Sequence, residues 1–377
     1  MPSFFLAWQH LLKRRGQAAV MIAGVALAIY LPLATHWLVG AFDKAIGARA
    51  DSTPMVVGAK GSQFDLVLHG LYFRASVDDT IPFGEYETLA STGLAQSIPL
   101  LAQFTAAEQP VVGTTLDYFE FRKLHVSDGK QIAFLGDCVL GACAAEKLKL
   151  RPGDKLKTDS GNLFDLASEY PIQLNITGVL NPNGTADDEA VFVDVKTAWI
   201  IAGIGHGHNE DEQTSTSKKL VTKHLEITAE NNDSFHFHGD PNAFPLTAML
   251  AIPKDNKSTA LVLMRYQDHD HLQALKPTEI VTEMMDMVIS MRKFLYANYA
   301  LVATATGLLL ILIVGLSRRL RAPEMETMFL LGCSRSSLFG LQAAELAIIF
   351  AASIAFALLA AWASVAWAQD YLNTLTG

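Results

Sequence analysis

The sequence predicts an α-helical membrane protein in which three transmembrane helices carry a mixed α/β extracytoplasmic domain on a helical stalk. Three observations predict it. Long stretches almost free of charge gather at the two ends of the chain, basic residues cluster beside those stretches, and the segment between them is polar and rich in turn signals.

Residues 16–39 contain no Lys, Arg, Asp or Glu, residues 296–316 contain none either, and residues 338–368 contain only Glu345. About 20 apolar residues cross a hydrocarbon layer of ~30 Å. Each stretch therefore qualifies as a span, read as 16–40, 296–316 and 338–368. Lys13, Arg14 and Arg15 precede the first span, and Arg318, Arg319, Arg321 and Arg335 lie between the second and third. Short basic loops stay in the cytoplasm. This places 1–15 and 317–337 inside, and the long segment 41–295 and the tail 369–377 outside. The first apolar run is longer than the core of a secretory signal, so it reads as an uncleaved anchor, with cleavage near residues 48–50 as the alternative. Phe4, Phe5, Trp8, Leu11 and Leu12 form one stripe, read as an amphipathic lead-in in the membrane interface or as the first turns of the same long helix. Glu345 lies within two turns of the cytoplasmic end of its span and reads as a snorkelling acid or a contact to a neighbouring helix.

Charge divides the same way. Residues 43–293 hold 34 acidic against 22 basic side chains, a balance of −12, whereas the whole chain carries −9. An acidic exterior excludes nucleic acid as a partner, because such binding rests on Lys and Arg neutralising phosphates. The basic ends match anionic inner-leaflet lipid. Cys138 and Cys143 lie outside, where a bridge is permitted. Their spacing leaves bridged and free thiols both open.

Along the outer segment, 55–58 and 64–73 read as strands around a Gly-containing turn, and 82–87 opens a short helix. Residues 111–118 read as a strand entering a turn, 131–135 as a strand and 137–148 as a helix. Residues 172–180 and 190–195 read as strands around the turn at Asn181, Pro182, Asn183 and Gly184. Strand character returns at 246–252 and 260–266. Residues 277–295 have helical spacing and run into the second span, while 39–49 extend the first. Together they predict a paired stalk, or two helices packed on the domain.

Histidine concentrates in a polar insertion at about 205–240 and just beyond it. His206, His208, His236, His238, His269 and His271 form three His-x-His pairs, and His224 lies among them. On a strand, residues i and i+2 share a face, so two imidazoles can reach one ion. Imidazole suits zinc, copper or nickel. These six residues are the candidate metal ligands and zinc is the candidate ion. Solvated loop histidines are the other reading.

The cytoplasmic segment carries the most specific pattern. Arginines at 318, 319 and 321 lead into Pro323, which suits the first position of a helix, with Glu324 and Glu326 in its first turn. Met325, Met328, Phe329 and Leu331 give that helix an apolar face, and Gly332 is placed to end it. A short amphipathic helix of this kind can dock in a partner's groove, and a helix lying on the membrane surface is the other reading.

Here the chain resembles the permease subunits of FtsX/MacB-type ABC transporters, which include the lipoprotein-release and macrolide-exporter permeases. In that family a basic segment leads into Glu-Ile-…-Leu-Gly-Ala-Ser-Arg, the coupling helix that touches the ATPase. Arg318, Arg319, Arg321, Glu324, Leu331, Gly332, Ser334 and Arg335 match it, while Cys333, Pro323 and Phe329 depart from it. Further similarity lies in the N-terminal segment from Leu6 to Arg15, in Val111 to Phe119, in Gly178-Val179-Leu180 with the acids that follow, and in Glu345. The resemblance implies an inner-membrane permease with a periplasmic domain, an ABC ATPase as partner, a second permease chain and a periplasmic accessory protein. ATP would be bound by the partner, and Arg321, Glu324, Met328, Leu331, Gly332 and Arg335 would couple the two. The family carries a fourth span. A member lacking it, a partner that supplies it and an incomplete chain all fit the 377 residues.

No Gly-x-x-x-x-Gly-Lys-[Ser/Thr] is present, so nothing here cradles a nucleotide phosphate. No His-Glu-x-x-His is present either, and no nucleophile elbow. The sequence therefore predicts no enzyme and no catalytic residue in this chain. The reading is a permease that passes ATP-driven motion to its outer domain, in a zinc-linked system. Its rivals are a membrane-anchored metal-binding or sensing protein and an FtsX-like regulator of a cell-wall hydrolase.

Overall fold

A computed structural model describes residues 2–13, 15–74, 76–77, 79–159, 171–207, 225–227, 232, 235–320, 326–327, 330 and 334–376. Helices α1 (Pro2–Lys13) and α2 (Arg15–Asp51) open the chain. The outer segment begins with β1 (Met55–Ala59) and α3 (Gln63–Tyr72), followed by β2 (Ile81–Pro82), α4 (Phe83–Ser91) and the long strand β3 (Ala95–Ala106). Then come β4 (Gln109–Thr114), α5 (Leu116–Arg122), β5 (Val126–Gly129), β6 (Asp137–Leu140), α6 (Ala142–Leu148) and β7 (Lys155–Lys157). After them lie β8 (Ile172–Leu180), β9 (Val191–Asp194), α7 (Val195–Ile201), β10 (Gly205–Gly207), β11 (Leu225–Glu226) and β12 (Phe235–Phe237). The segment closes with β13 (Pro245–Leu246), β14 (Ala248–Pro253), α8 (Asn256–Gln267) and β15 (Leu272–Leu275). Two long helices end the chain, α9 (Pro277–Leu320) and α10 (Arg335–Thr376).

The chain forms two compact units, one of residues 1–44 and 285–371, the other built on residues 45–284. In the helical unit, small polar groups tie apolar helices together. The hydroxyls of Tyr30 and Ser364 lie 2.8 Å apart, those of Thr35 and Tyr299 2.6 Å apart, and Ser353 Oγ donates to Ile22 O at 3.2 Å. On α10, Ile349, Ser353, Ala357 and Ala361 are buried at intervals of four. Such a stripe of mostly small side chains lets helices approach closely where no water drives their association. Glu345 is buried on the same helix. Leu308, Ile311, Leu312, Leu359 and Trp362 face outward instead. Among the described residues, Ala18–Asp51 and Phe339–Ala368 are long and apolar enough to cross a membrane. The expected span at 296–316 falls inside α9.

The α/β unit is built on an eleven-stranded mixed sheet among the described residues, ordered β11-β8-β6-β9-β4-β3-β14-β1-β15, with β5 and β7 also paired to β8. The run from β4 through β3, β14 and β1 to β15 is antiparallel, whereas β4 pairs with β9 in parallel, and so do β6 and β11 with β8. Strand β8 shows why its sequence makes a strand: burial alternates along all nine residues, with Ile172, Leu174, Ile176 and Leu180 inward. Phe73, Tyr118, Phe119 and Phe192 form one aromatic cluster, and Phe83, Trp199, Phe237 and Phe244 form another. Trp199 Nε1 is satisfied by Pro245 O at 2.9 Å.

Several expected strands take other forms. Residues 64–73 are not a strand but the body of α3. Ser62 accepts a hydrogen bond from Asp65 N, and Leu66, Val67, Gly70 and Leu71 give the helical spacing that is buried. Residues 260–266 belong to α8, where Asp255 caps Ser258 N and Val262 and Tyr266 are buried four apart. Residues 131–135 form no strand, because the strand begins at Asp137 and takes the first part of the expected helix 137–148, leaving α6 to start at Ala142. Cys138 in β6 and Cys143 in α6 are unbridged, and burial pushes both thiols up, away from the reactive thiolate.

Gly141 sits between β6 and α6 with the carbonyls of Asp187 and Asp188 against its α-carbon, so that a β-carbon there would overlap both. Gly141→Ala should therefore displace the 186–189 turn and lower stability by about 1–3 kcal/mol, as overpacking does. Chemical unfolding of the detergent-solubilised chain measures it, and an unchanged midpoint would contradict this packing.

Candidate functional site

The six candidate metal ligands divide among different places. Strands β10 and β12 pair as an antiparallel ribbon, with His206 directly opposite His236. The rings of His236 and His238 stand with centroids 4.7 Å apart, both exposed. His208 lies outside the described residues, as does His224. His269 is used structurally: its Nδ1 accepts from the backbone N of His271 at 3.2 Å and of Leu272 at 3.1 Å, fixing the turn into β15. Among the described residues, no group of three or more His, Cys, Asp or Glu side chains stands ready around a metal.

Beside the ribbon is a cavity of about 540 Å³ lined by Thr114, Leu116, Phe119, Phe134, Asp194, Lys196, Phe235 and Phe237 among others. Its lining combines four phenylalanine rings, Phe119, Phe134, Phe235 and Phe237, with the charged Asp194 and Lys196. Burial pushes the Asp194 carboxyl up, while the hydrogen bond from Lys196 N opposes that.

Of the six expected coupling residues, Arg321, Glu324, Met328, Leu331 and Gly332 lie outside the described residues. Arg335 opens α10.

The best-built polar site is one the sequence reading missed. Arg49, in the last turn of α2, is buried together with Asp187. Its Nη1 and Nη2 donate to the two carboxylate oxygens of Asp187, each at 2.8 Å. Tyr118 Oη donates to Asp187 Oδ1 at 2.7 Å and accepts from Arg49 Nη2 at 3.0 Å. Arg49 Nε donates to Leu71 O, and the guanidinium lies 6.0 Å from the Tyr72 ring and 5.8 Å from that of Phe73. Arg122 adds hydrogen bonds to Ser52 Oγ at 3.1 Å and Thr53 Oγ1 at 2.8 Å, and Tyr72 Oη donates to Ile46 O at 2.6 Å. Thr278 Oγ1, from the first turn of α9, reaches Ala50 O at 3.3 Å. The end of α2 is thus fastened to α3, α5, the 186–189 turn and α9. Only a lone arginine at the end of an apolar helix signalled this in the sequence, because its partner lies 138 residues away.

Burial alone would pull the Arg49 guanidinium down and push the Asp187 carboxyl up. Pairing reverses both. Arg49 is raised by Asp187, and Asp187 is held down to about 2 by the charge and hydrogen bonds of Arg49, with help from Arg122 and Tyr118. Burial, and then the Asp187 charge, push the Tyr118 hydroxyl up to about 12, so it stays a donor.

A family model described as the MacB-like periplasmic core domain matches residues 18–234. The chain belongs to that family. It is a MacB/FtsX-type ABC transporter permease. The periplasmic region of MacB from Actinobacillus actinomycetemcomitans is similar at 11% identity, over 62% of this chain and 95% of that one, with a TM-score of 0.36. The extracellular domain of the noncanonic ABC-type transporter YknZ from Gram-positive bacteria is similar at 12% identity, over 59% of this chain and 98% of that one, with a TM-score of 0.34. At these scores the two superpositions add nothing to the family match. No curated protein matches the chain. The match makes the α/β unit a periplasmic-type core domain, and its permeases are transport components that normally work with an ABC ATPase.

Arg49→Ala should cost about 3–5 kcal/mol, because it leaves the Asp187 carboxylate buried and uncompensated. Arg49→Lys keeps the charge but loses the two-pronged geometry and should fall between. Since Asp187 titrates lower folded than its ordinary value of 3.8, its contribution of ~2 kcal/mol is present above about pH 4 and is lost as pH falls toward 2. Urea unfolding at several pH values checks both. A fall of the same steepness in Asp187→Asn would remove Asp187 as its source.

Proposed function

We propose that this chain is the mechanically coupled permease of an ABC system, passing ATP-driven motion from a cytoplasmic ATPase to the outer α/β unit. One observation carries the reading. Helix α2 runs unbroken from Arg15 to Asp51, and its last turn is locked into the α/β unit by the Arg49–Asp187 pair. Within the α/β unit this buried two-pronged contact passes any displacement of the turn at 46–53 to the 186–189 turn, since packed interiors are bistable rather than soft. Within the helical unit, small polar contacts hold α2 to the other long helices.

In this reading the N-terminus and the 317–337 segment are cytoplasmic, following the clusters of Lys13, Arg14 and Arg15 and of Arg318, Arg319, Arg321 and Arg335. The three spans are 16–40, 296–316 and 338–368, and the α/β unit lies in the periplasm. The ATPase grips the segment through Arg321, Glu324, Met328, Leu331, Gly332 and Arg335. Two permease chains, one per ATPase of a dimer, complete the transporter, and a periplasmic accessory protein receives the motion. Binding and hydrolysis of ATP belong to the partner.

Two variants separate docking from transmission. Glu324→Lys and Gly332→Pro should each release a co-purifying ATPase from the detergent-extracted complex, leaving the unfolding midpoint of the outer unit unchanged. Arg49→Lys should keep the ATPase bound and lower ATP-driven activity. If both loop variants retain the ATPase, the coupling segment is wrongly assigned. If wild-type protein brings down no ATPase but a stoichiometric metal ion, the chain is an anchored sensor instead.

A further inference from the structure

We propose that the cavity of about 540 Å³ beside β12 is a binding site for an uncharged, ring-bearing small molecule that presents a hydrogen-bond donor, such as a hydroxyl or an amide N–H. The inference concerns the α/β unit alone and stands apart from the permease reading.

Topology places the cavity. Strands β4 and β9 are parallel neighbours, with Val112 opposite Phe192, Gly113 opposite Val193 and Thr114 opposite Asp194. Each strand passes almost directly into a helix, β4 into α5 and β9 into α7. The two helices leave to opposite faces of the sheet. On the Phe192 face lies α5, whose Tyr118 and Phe119 rings pack on Phe192 with centroids 5.6 and 5.3 Å away. Gly113 is one residue on from Val112 and so points to the other face. There a β-carbon would overlap that of Ala198, which puts α7 on this second side. Where adjacent parallel strands send their connections to opposite faces, a crevice opens beyond their carboxyl ends, and ligands of α/β sheets bind there. Thr114, Thr115, Leu116, Asp194 and Lys196 stand at those ends, and all five line the cavity.

The lining sets the chemistry. Beside the four phenylalanine rings stands Leu116, and Phe134 and Leu116 are 60% and 56% exposed, so apolar surface is left uncovered. The volume is that of a ligand pocket, about 300–1,000 Å³, in which apolar walls surround a few polar groups. Two polar groups here have unused capacity. Thr115 Oγ1 is buried without a hydrogen-bond partner, and although Thr115 precedes α5 its side chain makes no capping bond. With no bond to lose, that hydroxyl turns about χ1 toward a ligand at little cost. Asp194 spends one carboxylate oxygen on Lys196 N at 2.9 Å, which leaves the other to accept. A carboxylate acceptor calls for a donor on the ligand. Asp194 and Lys196 bring opposite charges to the same lining. An uncharged molecule is therefore favoured over an ion, which would give up its hydration among the rings.

The test is equilibrium dialysis of 2-naphthol against the full chain in lipid nanodiscs, with empty nanodiscs subtracted. 2-Naphthol joins two fused rings to a single hydroxyl. Its comparison probes are 2-methylnaphthalene, which has the same shape without the donor, and the charged 2-naphthoate and 2-naphthylmethylammonium. Wild-type protein should bind 2-naphthol saturably at one per chain and all three comparison probes more weakly. Thr115→Val exchanges the hydroxyl for a methyl group of similar size. It should weaken 2-naphthol about threefold to tenfold, the worth of one hydrogen bond, and leave 2-methylnaphthalene unchanged. Its unfolding midpoint should not fall, because the hydroxyl has no partner to lose. Phe134→Ala removes an exposed ring and should weaken 2-naphthol about threefold, the worth of one aromatic contact, again with the midpoint unchanged. Absence of saturable binding above empty nanodiscs, or wild-type affinity for 2-naphthol in either variant, would overturn the site. Tighter binding of either charged probe would overturn the assignment of an uncharged ligand.

Discussion

The buried pair of Arg49 and Asp187 is the constraint on which the α/β unit depends. Removing two charges from water costs several kcal/mol each, and Coulomb attraction repays this only with good geometry and full hydrogen bonding. Both conditions hold: two parallel bonds of 2.8 Å join the pair, Tyr118 serves the carboxylate, and Leu71 O takes Arg49 Nε. A well-packed apolar pair could match it in stability. The Arg49–Asp187 pair holds the end of α2 through two parallel hydrogen bonds. The neighbouring contacts from Arg122, Tyr72 and Thr278 all address the same turn, residues 46–53.

The same pair organises the middle of the sheet. Asp187 lies in a 3₁₀ turn between β8 and β9 whose backbone rests on Gly141. Asp188, beside it, accepts from Asn183 N and Gly184 N and holds the preceding turn. The two acids do opposite electrostatic work. Asp187 is held down by a guanidinium, whereas burial pushes Asp188 up against the backbone bonds it accepts. The aromatic cluster of Phe73, Tyr118, Phe119 and Phe192 packs around this site, so the charge is enclosed by rings rather than by water.

The ribbon of β10 and β12 presents a second kind of organisation, in which one short strand serves two chemistries. Its aromatic side chains belong to the cluster around Trp199 and to the cavity wall, and its histidines belong to the exposed face. Period-two alternation is enough to separate them.

Much of this was legible in the sequence because it depends on local pattern. Uncharged runs identified the apolar helices, since length and composition alone decide whether a segment suits hydrocarbon. The strand expected at 172–180 is β8, and the Asn, Pro and Gly turn signals at 181–184 follow its end. Pattern failed where two periods compete over a short span. Residues 64–73 and 260–266 are rich enough in apolar side chains to suggest strands, and only the caps at Ser62 and Asp255 with the buried i, i+4 faces make them helices. Composition and spacing settle which segments are apolar, where charge gathers and that a His-x-His pair shares a face wherever it lies on a strand. The fold separates the histidines: the backbone of His206 is registered opposite His236 in the β10–β12 pair, while His269 is taken up by its own turn. It alone also joined Arg49 to Asp187. Periodicity reports a residue's environment within one element, but pairing across 138 residues is set by how the sheet brings distant elements together, and no local pattern encodes that distance.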